Sequence, residues 1–114
     1  MRYLALIYGN KEIWNDWPDR PAVIAEVDAF NKRLTESGEL ITANGLIGPP
    51  INVRQSGDSP VVSDGPYLEV KEHVGSYFIL DVESYERALE IVQEYPGVTS
   101  GGGGVELWRL MHQR

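Results

Sequence analysis

Gly75-Ser76-Tyr77-Phe78-Ile79-Leu80-Asp81-Val82, followed by Glu83-Ser84, is the stretch on which the fold turns. Its aromatic and branched residues suit a pleated, half-buried strand. Ser84 stands where a following helix needs a side-chain oxygen for its first amides. From residue 85 to about 94, Tyr85, Ala88, Leu89 and Val92 recur at helical spacing, with Glu86, Arg87, Glu90 and Gln93 between them, so the first set is expected inward and the second outward. Tyr95-Pro96-Gly97 reads as the stop. A last strand, Val105-Glu106-Leu107-Trp108-Arg109-Leu110, closes this half.

The N-terminal half repeats the plan. Tyr3-Leu4-Ala5-Leu6-Ile7-Tyr8 is a continuous apolar run ended by Gly9-Asn10, the pattern of a central strand covered on both faces. In residues 22 to 37, Val23, Val27, Phe30 and Leu34 recur at steps of four, three and four. Asp19 is placed as cap, Pro21 in the first turn and Gly38 as stop. Glu39-Leu40-Ile41-Thr42-Ala43-Asn44 reads as the second strand, and Pro49-Pro50 interrupts further pairing. Ile51 to Gln55 and Val61 to Ser63, around the turn cluster Ser56-Gly57-Asp58-Ser59-Pro60, read as an inserted hairpin. Strand, helix, strand, hairpin, strand, helix, strand is an α+β order, a split βαβ plan in which an antiparallel sheet carries two helices on one face. The bare second face is expected to be covered by another copy of the chain, giving a homodimer.

The chain has 114 residues, the size of one domain spanning 1–114, with no internal repeat or linker. Its formal charge of −7 repels phosphate backbones and anionic membrane surfaces, so neither nucleic acid nor membrane is an expected partner. The absence of cysteine removes disulfides, thiolate metal sites and cysteine nucleophiles. No leader pattern or long apolar run is present, which places the chain in the cytoplasm by default. Gly101-Gly102-Gly103-Gly104 lacks the Lys-Ser/Thr ending of a phosphate loop and precedes a strand, so it reads as a flexible connection.

The reactive side chains cluster in Ser63-Asp64-Gly65-Pro66-Tyr67-Leu68-Glu69-Val70-Lys71-Glu72-His73. Asp64, at a strand end beside a tight turn, is the candidate general base, although Asp before Gly-Pro also caps a turn through backbone bonds. Glu69 and Glu72 stand close enough in sequence to His73 to raise its pKa, and His73 or Lys71 is the candidate acid or electrophilic partner. Tyr8, Trp14, Tyr67 and Tyr77 are candidate walls for a small-molecule ligand, with Glu69 among the binding residues. Trp14 and Trp17 equally suit pinning a loop to the core or lining a subunit contact. His73 and His112 stand too far apart for a metal pattern, and the residues suggest no cofactor. This chemistry fits proton transfer on a small molecule, or binding alone.

These residues carry a resemblance to the YCII-related family, in particular the branch named for an Asp-Gly-Pro-Phe motif. It rests on Met1-Arg2-Tyr3-Leu4-Ala5-Leu6-Ile7-Tyr8-Gly9, on Phe30-Asn31 with residues 38 to 46, on Asp64 to Glu72, and on residues 75 to 82 with Ala88-Leu89-Glu90. The resemblance implies a ferredoxin-like dimeric α+β barrel with a cleft between helix, sheet and partner chain. It brings in a family that includes a ring-compound dehydrochlorinase, in which some members use a His-Asp pair. Here the helical histidine position holds Val27, Tyr67 replaces the motif's Phe, and Trp108-Arg109 stands where Arg-Pro is usual. The resemblance supplies no reaction of its own; the activity expected from the residues is cofactor-independent elimination, isomerisation or hydration of a small carbonyl-bearing or aromatic metabolite. The alternative is a non-catalytic binding or accessory module linked to sigma-factor regulation.

Overall fold

The computed structural model describes residues 1–9, 20–47, 50–64, 73–99 and 103–111. Its elements are β1 (Arg2–Gly9), α1 (Arg20–Glu36), β2 (Leu40–Gly45), β3 (Ile51–Ser56), β4 (Ser59–Asp64), β5 (His73–Asp81), α2 (Tyr85–Gln93), the single turn α3 (Pro96–Thr99) and β6 (Gly104–Arg109). β1, β2, β5 and β6 form one antiparallel sheet in the order β2-β5-β1-β6. This is the order in which a split βαβ plan returns its strands, so the α+β architecture agrees with the sequence reading.

Both helices pack on the same face. Tyr3, Ala5 and Ile7 from β1 and Phe78 and Leu80 from β5 form the core with Phe30, Leu34, Ala88, Ile91 and Val92 from the helices. Register places Tyr3 opposite Leu80 and Ala5 opposite Phe78, so the buried residues of the two central strands share that face. The residues between them, Leu4, Leu6 and Tyr8, are only half-buried. The expectation of two covered faces therefore fails within one chain. On the other side of the sheet, Trp108 and Val74 join Leu4, Leu6, Tyr8, Tyr77 and Ile79, with Trp108 55% exposed.

α1 buries Val23, Phe30 and Leu34 as its spacing predicts, and it ends in a turn where Gly38 takes φ +82°. Glu39 N–H donates to Leu34 O (2.9 Å) and Gly38 N–H to Thr35 O (3.1 Å), satisfying the last carbonyls. The expected cap Asp19 lies outside the described residues. Ser84 caps α2, its Oγ accepting from Arg87 N–H at 3.1 Å. The inward face of α2 is Ala88, Ile91 and Val92, whereas Tyr85 and Leu89 are exposed. The stripe centres one residue round from its expected position because Tyr95 continues it below Ile91 and Val92.

Tyr95-Pro96-Gly97 ends α2 but does not end helix: Pro96 opens α3, its fixed φ suiting a first helical position. Tyr95 is buried in an aromatic cluster, 5.4 Å from both the Phe30 and Phe78 ring centroids, and Phe30 meets Phe78 at 6.1 Å. The hairpin loop is tighter than expected. Only Gly57 and Asp58 form it, since Ser59 and Pro60 already pair with Ser56 and Gln55. A positive φ (+61°) at the first loop residue alone fits a type II′ turn. β3 and β4 form a sheet of their own, and one face of it carries Ile51, Val53, Pro60 and Val62, all exposed.

Polar ties gather at one end of the main sheet. The Met1 ammonium donates to Val82 O (2.8 Å), Asp81 N–H to Glu39 O (2.8 Å) and Leu110 N–H to Arg2 O (2.9 Å). Arg87 adds a two-pronged bond to Glu39, Nε to Oε2 at 2.7 Å and Nη2 to Oε1 at 2.9 Å. Hydrogen bonding to Arg87 holds the Glu39 carboxyl below its ordinary pKa, against a smaller opposing effect of burial. Among the described residues no helix is long and apolar enough to cross a membrane.

Candidate functional site

The sheet bulges twice, once at Ile41 in β2 near the tied end and once at the opposite end. Ser76 pairs with Ile7 and Val74 with Tyr8, so β5 bulges at Gly75, and Gly75 O accepts from Leu46 N–H at 2.9 Å. Beside this bulge, between α1 and the sheet, lies a cavity of about 510 Å³, within the range of small-molecule sites. Its apolar wall is Ile7, Val23, Ile24, Val27, Ala43 and Phe78. Val27, the helical position that the family resemblance aligned with a histidine, is thus on the wall but contributes no imidazole.

Six of the residues that line it are polar, Asn44 and Tyr77 among them, and they come from separate parts of the chain. Asp28 and Asn31 lie one turn apart on α1, Ser76 comes from β5, and Tyr95 from the segment after α2. Asp28 is exposed to solvent, so its carboxylate sits at the mouth. Asn31 Oδ1 is buried and has no hydrogen-bond partner among the described residues. Burial pushes the Tyr95 hydroxyl above its ordinary pKa, and a hydrogen bond with the Ser76 side chain opposes that shift in part. The phenol therefore keeps its proton throughout the neutral range. No Lys, Arg or His is among the described residues that line the cavity.

The residues proposed from sequence fall into three groups. Trp14, Tyr67, Glu69 and Lys71 lie outside the described residues. Asp64 and His73 are placed by backbone alone, Asp64 at the end of β4 opposite Ile51 and His73 at the start of β5 opposite Gly9. Tyr8 and Tyr77 are described more fully. Tyr77 borders the cavity, while on the far face of the sheet its hydroxyl accepts from Asn44 Nδ2 at 3.2 Å. Tyr8 lies on that far face too, against Gly104 of β6, and is not among the cavity-lining residues.

Asp28, Asn31, Ser76 and Tyr95 were not singled out by sequence reasoning. Asp28 and Asn31 each follow a residue of the α1 inward stripe, Val27 and Phe30, and that flanking position was a readable signal. Tyr95 read as punctuation, and Ser76 as one residue of a strand. Among the described residues no three His, Asp or Glu side chains gather into a metal-binding group.

The model of the YCII-related domain matches residues 1–111. The chain belongs to the YCII-related family. This YCII-related protein is 23% identical over 111 residues to an uncharacterized protein of Rhizobium meliloti (strain 1021), covering 94% of this chain and 90% of that one. Its fold is similar to that of 5-chloro-2-hydroxyhydroquinone dehydrochlorinase from Burkholderia phenoliruptrix, solved in complex with 2,5-dihydroxybenzoquinone. That similarity has a TM-score of 0.63 at 17% identity, covering 99% of this chain and 96% of that one.

Proposed function

We propose that this YCII-related protein is a small, cofactor-independent enzyme performing acid–base chemistry, an elimination, isomerisation or hydration, on a small aromatic or carbonyl-bearing molecule. The observation that carries the reading is the cavity itself, ligand-sized and mostly apolar, with Asp28, Asn31, Ser76 and Tyr95 among the residues that line it. The quinone bound by the dehydrochlorinase of similar fold supports a ring as ligand. In such chemistry a carboxylate takes a proton from carbon or oxygen, the released pair forms a double bond, and an acid protonates the leaving group or the developing oxyanion. Asp28 at the mouth and Asp64 at the end of β4 are the carboxylates to test as base, with His73 and Lys71 as acids. Trp14, Tyr67, Glu69 and Tyr77 remain binding residues proposed from sequence, whereas Tyr8, on the far face of the sheet, is not among the residues that line this cavity.

A second reading, a non-catalytic metabolite-binding module, is favoured by the exposure of Asp28, which leaves the lining carboxylate in solvent rather than enclosed with a ligand. Incubating a metabolite extract with wild type, Asp28→Asn and Asp64→Asn, followed by mass spectrometry, separates the two. Consumption of a compound by wild type that one substitution abolishes supports the enzyme and names its base. Retention of the same compound by all three, with nothing consumed, supports binding alone.

We further propose a homodimer. The uncovered sheet face, four strands about 4.8 Å apart and some 25 Å long, offers roughly 500 Å² of flat area, to which side-chain relief adds. That approaches the ~800 Å² per partner of a stable interface. Sedimentation at micromolar concentration is expected to return twice the chain mass; one chain mass refutes the dimer.

A further inference from the structure

Glycine weakens a strand, and the one that ends β2 stands there without a structural reason. Gly45 does not take a positive φ, and it keeps regular register opposite Ser76. The bulge of β2 lies at Ile41, toward the other end of the strand. No backbone crowds the position either. A Cβ built on Gly45 meets no heavy atom of the described residues within 4 Å, and the residue is exposed, so the space beside it is open. Of the uses a strand has for glycine, the one left is close approach by a ligand.

That open space belongs to the cavity. Residues directly opposite each other in a sheet share a face, as do residues two apart along a strand. A side chain on Gly45 would therefore project beside those of Ala43 and Ser76, on the face that carries Phe78, and all four residues border the cavity. Gly97, which borders it too, is different: a Cβ there would stand 2.4 Å from Tyr95 Cε2, so packing alone explains that glycine. On the α1 side the lining includes Ile24, Val27 and Asn31, the last with a buried Oδ1 that has no partner among the described residues. Buried polar atoms are normally paired, so this lining is incomplete in itself.

We propose that a flat ring of the bound molecule lies with its face on the bare backbone of Gly45, across the cavity from Ile24 and Val27, and that Gly45 sets specificity by leaving room for it. This rests on the cavity being the ligand site. A peptide group is planar, so without a side chain in the way a planar ring meets it over a whole face, whereas a puckered ring touches it only with projecting atoms.

The test titrates phenol and cyclohexanol, the same ring size and hydroxyl in flat and puckered form, into ¹⁵N-labelled wild type, Gly45→Ala and Gly45→Val. Thermal unfolding of each protein is recorded without ligand. With φ permissive and the space empty, alanine restricts the unfolded chain at no cost to the fold, so Gly45→Ala is expected to melt about 2–4 °C above wild type. Phenol is expected to bind Gly45→Val about tenfold more weakly than wild type, as a side chain forced into occupied space requires, with cyclohexanol changed by less than about threefold.

Phenol affinity unchanged or raised in Gly45→Val, or Gly45→Ala melting below wild type, overturns the role of Gly45 while leaving the cavity as the ligand site. Equal weakening of both probes overturns the flat-ring assignment. Phenol failing to bind wild type, or shifting amides away from Ala43, Gly45 and Ser76, overturns the cavity reading and the Gly45 contact with it.

Discussion

Replacing Gly103 or Gly104 by alanine decides whether the end of the glycine run is a flexible connection or a packed one, because the two readings differ in sign. Neither residue has a positive φ, so alanine is conformationally allowed at both. For a loose connection, alanine lowers the entropy of the unfolded chain and is neutral or stabilising by about 0.4–1 kcal/mol. The packing says otherwise. A Cβ on Gly103 would lie 2.4 Å from the Tyr8 carbonyl oxygen, and one on Gly104 would lie 2.3 Å from Tyr8 Cζ and Oη.

The obstacles are not equivalent. The Tyr8 ring sits half-buried on the uncovered face and can swing aside, whereas the Tyr8 carbonyl belongs to a strand paired on both sides. To relieve Gly103→Ala that backbone has to withdraw by roughly 0.6 Å, within the regime where overpacking costs about 1–3 kcal/mol. After the unfolded-state gain is subtracted, Gly103→Ala is expected to lose about 2 kcal/mol and Gly104→Ala no more than about 1 kcal/mol. At about 4 °C per kcal/mol the first variant melts about 8 °C below wild type. Urea unfolding with unchanged m-value is the direct assay. Gly103→Ala as stable as wild type, or less harmful than Gly104→Ala, refutes the packing argument.

Two further outcomes follow from the ties at the other end. Ser84→Ala removes the oxygen that accepts from Arg87 N–H and is expected to cost about 1 kcal/mol by chemical unfolding, with Ser84→Asp recovering most of it. Glu39→Gln is expected to cost about 1 kcal/mol near pH 7. Because Arg87 lowers the folded-state pKa of Glu39, the stabilisation is fully present above the ordinary carboxylate pKa of about 4.3. It fades as pH falls through the lowered value, so the wild-type and Glu39→Gln stability curves should converge in acid. A gap that widens in acid contradicts the assignment.

The helices and the sheet were legible because their signals are local. Ser84, Gly38 and the Val23, Phe30, Leu34 stripe each act within a few residues, and the structure uses them as read. What covers the second face of β1 was not legible, because an unbroken apolar run does not distinguish cover from within the chain from cover by another copy. The position of the α2 stripe depended on Tyr95, a tertiary contact that spacing alone does not contain.

The site was harder for a related reason. Sequence reasoning gathered residues that are neighbours along the chain, from Asp64 to His73. The cavity gathers Asp28, Asn31, Ser76 and Tyr95, which meet only through the sheet register and the helix packing.

The unequal ends of the main sheet amount to a division between what must be kept and what is free to change. Substitutions around Arg2, Glu39, Asp81 and Leu110 disturb bonds that hold the strands and α2 in place. Around Gly75 and the mouth of the cavity, side chains can be exchanged without touching those bonds. With the cavity as the ligand site proposed above, changes in ligand preference are expected to disturb the fold least at the cavity end. A laboratory search for altered specificity should randomise Val27, Asp28, Asn31 and Ala43 first and leave the tied end alone.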